Sequence, residues 1–166
     1  KAIKVMIDVA SKMQKSTFGT TSLQFAHAQY SHAYFEFLRG NWVQSLALFE
    51  FSSGVYAQLY GRNHPFRLDA MYWIAEIKTK CSYFVDALNL HKYVFTLRRA
   101  TLGKCHPKCI NSTISIMNCL RLLGRSVAAK EMIDDVKASI SETFGVGFNH
   151  ACVSQSFLVF GQISKD

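Results

Sequence analysis

The sequence predicts an all-α fold, an α-solenoid built from antiparallel helix pairs. Three observations predict it. Four glycines (Gly19, Gly61, Gly103, Gly145) fall 42 residues apart, each preceded by an apolar or aromatic residue. The chain's two prolines share one phase of that repeat, in His64-Pro65 and His106-Pro107. A further phase carries Gly40, Ser82 and Gly124, again 42 apart. Between these marks the apolar residues recur at helical spacing. Short helix pairs at a fixed period cannot bury their faces alone, so they stack and share a core from copy to copy.

The elements follow in order, with boundaries good to about 2–4 residues. A first helix spans about residues 2–17. Gly40 closes the next helix and Trp42 opens its partner, giving a pair over about 22–38 and 42–59. Proline at the first helical position gives up only an N–H that would be unpaired there, so Pro65 and Pro107 open helices. Gly61, Gly103 and Gly124 close the helices before them. Two more pairs result, over about 65–80/84–101 and 107–122/126–143. Ala129, Ile133, Val136 and Ile140 form the plainest apolar stripe. One copy earlier the same stripe reads Ala87, His91, Val94 and Arg98; before that come Leu46, Phe49, Tyr56 and Tyr60. A last, unpaired helix runs over about 149–163. The copies read as one repeat domain over 1–166, with a half unit at about 1–18, units at 20–61, 62–103 and 104–145, and a half unit at 146–166. A start on Lys1 and an end on Ser164-Lys165-Asp166 are what a piece of a longer protein would show.

Composition narrows the function. With 166 residues, 49% apolar and 18% charged, the chain can bury one core and is too apolar for disorder. No basic-then-apolar segment opens it. The longest charge-free window, Thr143 to Ser164, holds Gly145, Asn149 and Gln155 and is too polar to span a membrane, so no membrane partner is expected. Five cysteines (Cys81, Cys105, Cys109, Cys119, Cys152) lack a disulfide framework, which predicts reduced thiols and a cytoplasmic location. Asn111-Ser112-Thr113 matches a glycosylation sequon without a secretory context. Cys105-His106-Pro107-Lys108-Cys109 offers three ligand groups, short of the four of a closed zinc site, so no metal is expected. Gly145-x-Gly147 lacks the third glycine of a dinucleotide loop. With no phosphate loop, zincin pair or nucleophile elbow, no catalytic residue and no cofactor are expected, and the chain reads as a non-enzyme.

On these residues the chain resembles a tetratricopeptide repeat (TPR) protein. The 42-residue period with Leu102-Gly103-x-x-His106-Pro107 is similar to the long repeats of the kinesin light chain type. Ala33 and Ala75 in first helices, and Ala87 and Ala129 in second helices, match the small-residue positions; Ser45 and Met117 stand there in other copies. The resemblance implies a right-handed α-solenoid, the TPR-like superhelix. Its concave groove, lined by the first helix of each pair, would take a partner segment or peptide. Kinesin light chains hold peptide backbones with paired asparagines in that helix. By phase these fall at Tyr30-Ser31, Tyr72-Trp73 and Ile114-Ser115, which all depart from the pattern. A second resemblance, to the helical C-terminal domain of SET–MYND lysine methyltransferases, implies a regulatory appendage of a larger enzyme.

Repeat phase projects His27, Tyr30, Tyr34 and Phe37, then Asp69, Tyr72, Glu76 and Lys80, then Asn111, Ile114, Asn118 and Arg121 toward the groove. Of these, Tyr30, Tyr34, Tyr72, Glu76, Lys80, Asn111, Asn118 and Arg121 are the candidate partner-binding residues. Tyrosines supply rigid contact area at low entropy cost; the competing reading packs them between helices. Trp42 is expected in the core, and Trp73 faces either the groove or the neighbouring unit. His64 and His106 read as helix-opening residues, His32 and His91 as interior ones.

The formal charge is +8, but residues 78–130 alone hold ten basic side chains and one acid, Asp86. The ten are Lys78, Lys80, Lys92, Arg98, Arg99, Lys104, Lys108, Arg121, Arg125 and Lys130. This local field suits an acidic partner segment anchored by Lys80 and Arg121, or simply a solvated outer face. Nucleic-acid binding by a helical repeat is the remaining alternative, without a recognised module to support it. In the last helix, Phe157, Leu158, Val159, Phe160 and Ile163 lack a covering helix, which points to self-association.

Overall fold

The structure, a computed structural model, describes residues 22–144 and 151–163, with Val5, Val9, Lys12, Met13 and Ser16 as isolated helical positions. The described residues hold no strand. In order they form α1 (Leu23–Leu38), α2 (Trp42–Tyr60), α3 (Pro65–Lys80), α4 (Phe84–Leu102), α5 (Pro107–Leu122), α6 (Ser126–Glu131), α7 (Ile133–Phe144) and α8 (Ala151–Ile163). The expected helix over 2–17 lies largely outside the described residues. The other boundaries agree with the sequence to within two residues, with one correction. The helix expected over 126–143 is divided at Met132, whose N–H bonds back three residues to the Ala129 carbonyl (3.3 Å) rather than four.

The punctuation acts as its chemistry requires. His64 Nδ1 accepts from the Phe66 N–H (3.3 Å) and His106 Nδ1 from the Lys108 N–H (3.1 Å), so both His-Pro pairs cap and open a helix. Gly40, Gly61, Gly103 and Gly124 all have positive φ. Ser82, at the Gly40 phase, shares that conformation at φ 67° and carries a Cβ there. Ser82→Gly is expected to stabilise the chain by about 0.5–1 kcal/mol. A thermal unfolding midpoint that stays level or falls would show that the serine is not strained.

The chain forms two compact units, Lys1–Cys81 and Ser82–Asp166. In the first, α2 packs against both α1 and α3. Close approach of α1 and α2 rests on small residues: Ala26 and Ala33 are fully buried. Two buried serines on α2 then reach α1 directly. Ser45 Oγ donates to the Ala33 carbonyl (2.8 Å) and Ser52 Oγ to the Ala26 carbonyl (3.1 Å). The turn between the helices folds over the fully buried Glu36, whose carboxylate accepts from the Asn41 amide and the Arg39 guanidinium (3.4 Å). His32 Nε2 lies 3.5 Å from the same carboxylate. Trp73 on α3 docks onto this pair. Its ring meets Tyr34 (4.9 Å between centroids), Phe37 (5.0 Å) and Phe49 (6.3 Å). The tryptophan therefore serves the packing between helices, as does Trp42, 5.3 Å from Phe37.

The second unit is centred on α5. Ile110, Ile114 and Met117 form a core with Ala87 and Leu88 of α4, with Ala129 and Val136, and with Val159, Phe160 and Ile163 of α8. That last group corrects the expectation of an uncovered final helix. Val159, Phe160 and Ile163 are buried within the chain and Leu158 is exposed, so these buried residues already have their partner in α5, while the Phe157 side chain lies outside the described residues. Two polar side chains sit inside α4. His91 is fully buried, and burial first, then the nearby Arg98 charge, push its pKa down to about 3. Arg98, 4% exposed, donates to the Lys108 carbonyl (3.1 Å) and to Ser112 Oγ (2.9 Å). It therefore belongs to the α4–α5 contact and not to the surface field in which the sequence counted it.

Candidate partner-binding surface

In the first unit, α1 and α3 bring His27, Tyr30 and Asp69 to one cleft of about 210 Å³. Tyr56 from α2 and Phe66 from α3 complete it. Three of the groove residues projected from repeat phase thus share one concave site. Its geometry is set by rings. Phe66 meets His27 edge-on (4.8 Å between centroids) and tilts against Tyr56 (5.6 Å). Tyr56 Oη lies 2.9 Å from His27 Nδ1. Burial lowers the His27 pKa and, as the largest cause, raises that of Tyr56, so the hydroxyl and the imidazole form a neutral pair at pH 7. The imidazole and the Asp69 side chain line the same cleft. The cleft therefore combines aromatic walls with a fixed polar edge, which is how pockets for side chains are built.

The remaining candidates divide. Tyr34 is 39% exposed and lies on Trp73; Tyr72 is half-buried, edge-on to Trp73 at 5.5 Å. Tyr30 is half-buried as well and meets Phe49 at 5.2 Å. Glu76 is half-buried on α3, and Lys80 is exposed at its end. Asn111, Asn118 and Arg121 belong to the second unit, on α5, where the Arg121 guanidinium donates to Asn118 Oδ1 (3.2 Å). Ile114 is corrected: it is fully buried among α4, α5 and α8 residues and offers nothing to a groove. The basic stretch is likewise divided, with Lys78 and Lys80 in the first unit and the rest in the second. Phase projection missed Tyr56 and Phe66. Tyr56 had been placed in the core stripe, where its ring is buried, yet that ring and its hydroxyl also meet Phe66 and His27 in the cleft. Phe66 lies three residues before Asp69, hence on the same helix face, and that spacing was the available signal.

Cys105 donates to Glu142 Oε2 (3.0 Å), the main reason its pKa is raised, while burial raises that of Cys109. Cys81, Cys105 and Cys109 are free thiols. Among the described residues no group of three His, Cys, Asp or Glu side chains could hold a metal, and no helix is long and apolar enough to cross a membrane.

No family model and no curated protein matches the chain. Solved structures do. The nearly identical TPR-like repeats of a Podosopora anserina kinesin-light-chain-like protein match with a TM-score of 0.72 at 18% identity, over 96% of this chain and 78% of that one. A variant of the same protein matches with a TM-score of 0.68 at 19% identity, over 85% and 68%. BtubC (BKLC) from P. vanneervenii matches with a TM-score of 0.74 at 13% identity, over 87% of this chain and 57% of its own length. The chain has a TPR-like repeat fold. Within that fold the cleft is formed by α1 and α3, with Tyr56 contributed by α2. Beside Tyr30 on α1, the Ser31 hydroxyl turns back onto the His27 carbonyl (3.0 Å).

Proposed function

We propose that the chain is a protein-interaction scaffold that docks an extended partner segment on its first-helix faces. The TPR-like fold supports such a scaffold in general. The observation that carries the finer reading is the cleft of His27, Tyr30, Tyr56, Phe66 and Asp69, with Tyr34 exposed one turn after Tyr30 on α1. One partner side chain enters the cleft, with Asp69 as acceptor for a donor group. Tyr34, Tyr72, Glu76 and Lys80 extend the contact along α1 and α3. Asn111, Asn118 and Arg121 offer amide and guanidinium groups on α5. An acidic partner is favoured by the exposed Lys92, Arg99, Arg125 and Lys130 of the second unit. Short displayed peptides selected on the purified chain test this reading. Selected peptides are expected to lose roughly tenfold or more in affinity on Tyr34→Ala with Asp69→Ala, a doubly substituted chain whose helicity is checked by circular dichroism. Peptides that bind the variant as tightly as the parent would remove the cleft from the interface.

A further inference from the structure

The second unit holds a separate cavity of about 220 Å³ between α4, α5 and the divided α6–α7 segment. Its floor is apolar, made by the buried Ile110 and Val136 with Phe95 and Met132 beside them. Its mouth is charged, because Arg99, Lys104 and Asp135 are all exposed. Lys104 Nζ stands 3.6 Å from Asp135 Oδ1, a solvent-facing pair of small strength that leaves the rim net positive.

Repeat phase shows why the cavity exists. Thr113 and Ser139 line it. One copy earlier the same phases carry Met71 and Leu97, and the Asp135 phase carries Tyr93. The third copy has therefore exchanged three bulky side chains for short polar ones. The helix is also interrupted at Met132, a lining residue, where the earlier copies run on through Leu48 and Leu90.

We propose that this cavity is a binding site for a small carboxylic acid with a single-ring or similarly compact apolar body. Size sets the body: a dry apolar cavity of about 150 Å³ already takes a benzene ring. Charge sets the head group: the carboxylate sits at the mouth against Arg99 and Lys104 and competes with Asp135 for the latter. Phenylacetate is the probe, read from the methyl resonance of Met132 and by calorimetry on the full chain. With so few atoms, a dissociation constant on the order of 1 mM is expected. Phenylacetamide, the neutral isostere, is expected to bind at least fivefold more weakly, and Asp135→Asn to bind phenylacetate more tightly. Ser139→Leu restores the earlier copy's residue, fills the cavity and should abolish the titration; Thr113→Met does the same from α5 if that variant fails to fold. Equal binding of acid and amide would overturn the carboxylate site. So would an unshifted Met132 methyl at saturating probe, or full binding by a folded cavity-filled variant.

Discussion

Replacement of Trp73 by alanine is expected to lower the stability of the first unit by about 3–4 kcal/mol. Trp73 is one of two rings, with Phe66, through which α3 reaches both helices of the preceding pair, and it meets Tyr34 and Phe37 on α1 and Phe49 on α2. Its removal takes away the apolar area and four ring contacts, three edge-on (Tyr34, Phe37, Tyr72) and one stacked (Phe49), each worth about 0.5–1.5 kcal/mol beyond burial. The cavity left behind is walled by rings already packed on one another, so collapse recovers little. Urea denaturation followed by the fluorescence of Trp42, the tryptophan that remains, measures the change. Trp73→Phe keeps a ring on Phe37 and should lose less than half as much. A change below about 1 kcal/mol in the alanine variant would mean that the ring cluster does not hold α3.

The second large effect is a loss of stability with acid. His91 is buried without charge, with a pKa of about 3 against an ordinary value near 6.5. Above pH 6.5 neither the folded nor the unfolded chain protonates it, and it contributes no pH dependence. Between pH 6.5 and 3 the unfolded chain takes up a proton that the folded one refuses. Stability therefore falls as pH falls, by about 1.4 kcal/mol per unit through this window. His91→Phe places at this phase the residue that the preceding copy carries at Phe49. Whatever its absolute stability, its unfolding free energy should show about one proton's less slope between pH 6 and 4 than the parent's. Identical slopes would show that His91 is protonated in the folded state.

Much of the fold was legible because its boundaries are chemical. The His-Pro pairs, the glycines and the small residues state where helices open, end and touch, and each acts locally. What escaped depends on the third dimension. Arg98 looks like surface charge until the Lys108 carbonyl and Ser112 are seen to receive it. Ser45 and Ser52 look like weakened core positions, yet each spends its hydroxyl on a carbonyl of α1. Met132 carries no helix-breaking chemistry, so the division of its helix left no trace in the sequence. The cleft was half legible. His27, Tyr30 and Asp69 follow from phase, whereas Tyr56 joins them from the buried stripe of α2.

The interior of α4 has a consequence for how a repetitive chain finds its own register. Identical copies could pair one repeat out of step, and each mispairing would look nearly native. Here they cannot. A slip by 42 residues would set Arg98 where Tyr56 belongs, facing Phe66 and Ala70 in place of Lys108 and Ser112. The guanidinium would then be buried without the hydroxyl it needs, at a cost of several kcal/mol. Tyr56 in the reciprocal place would leave His27 without its hydroxyl partner. Each copy thus carries its own internal address, and the scaffold can repeat its outline without confusing its order.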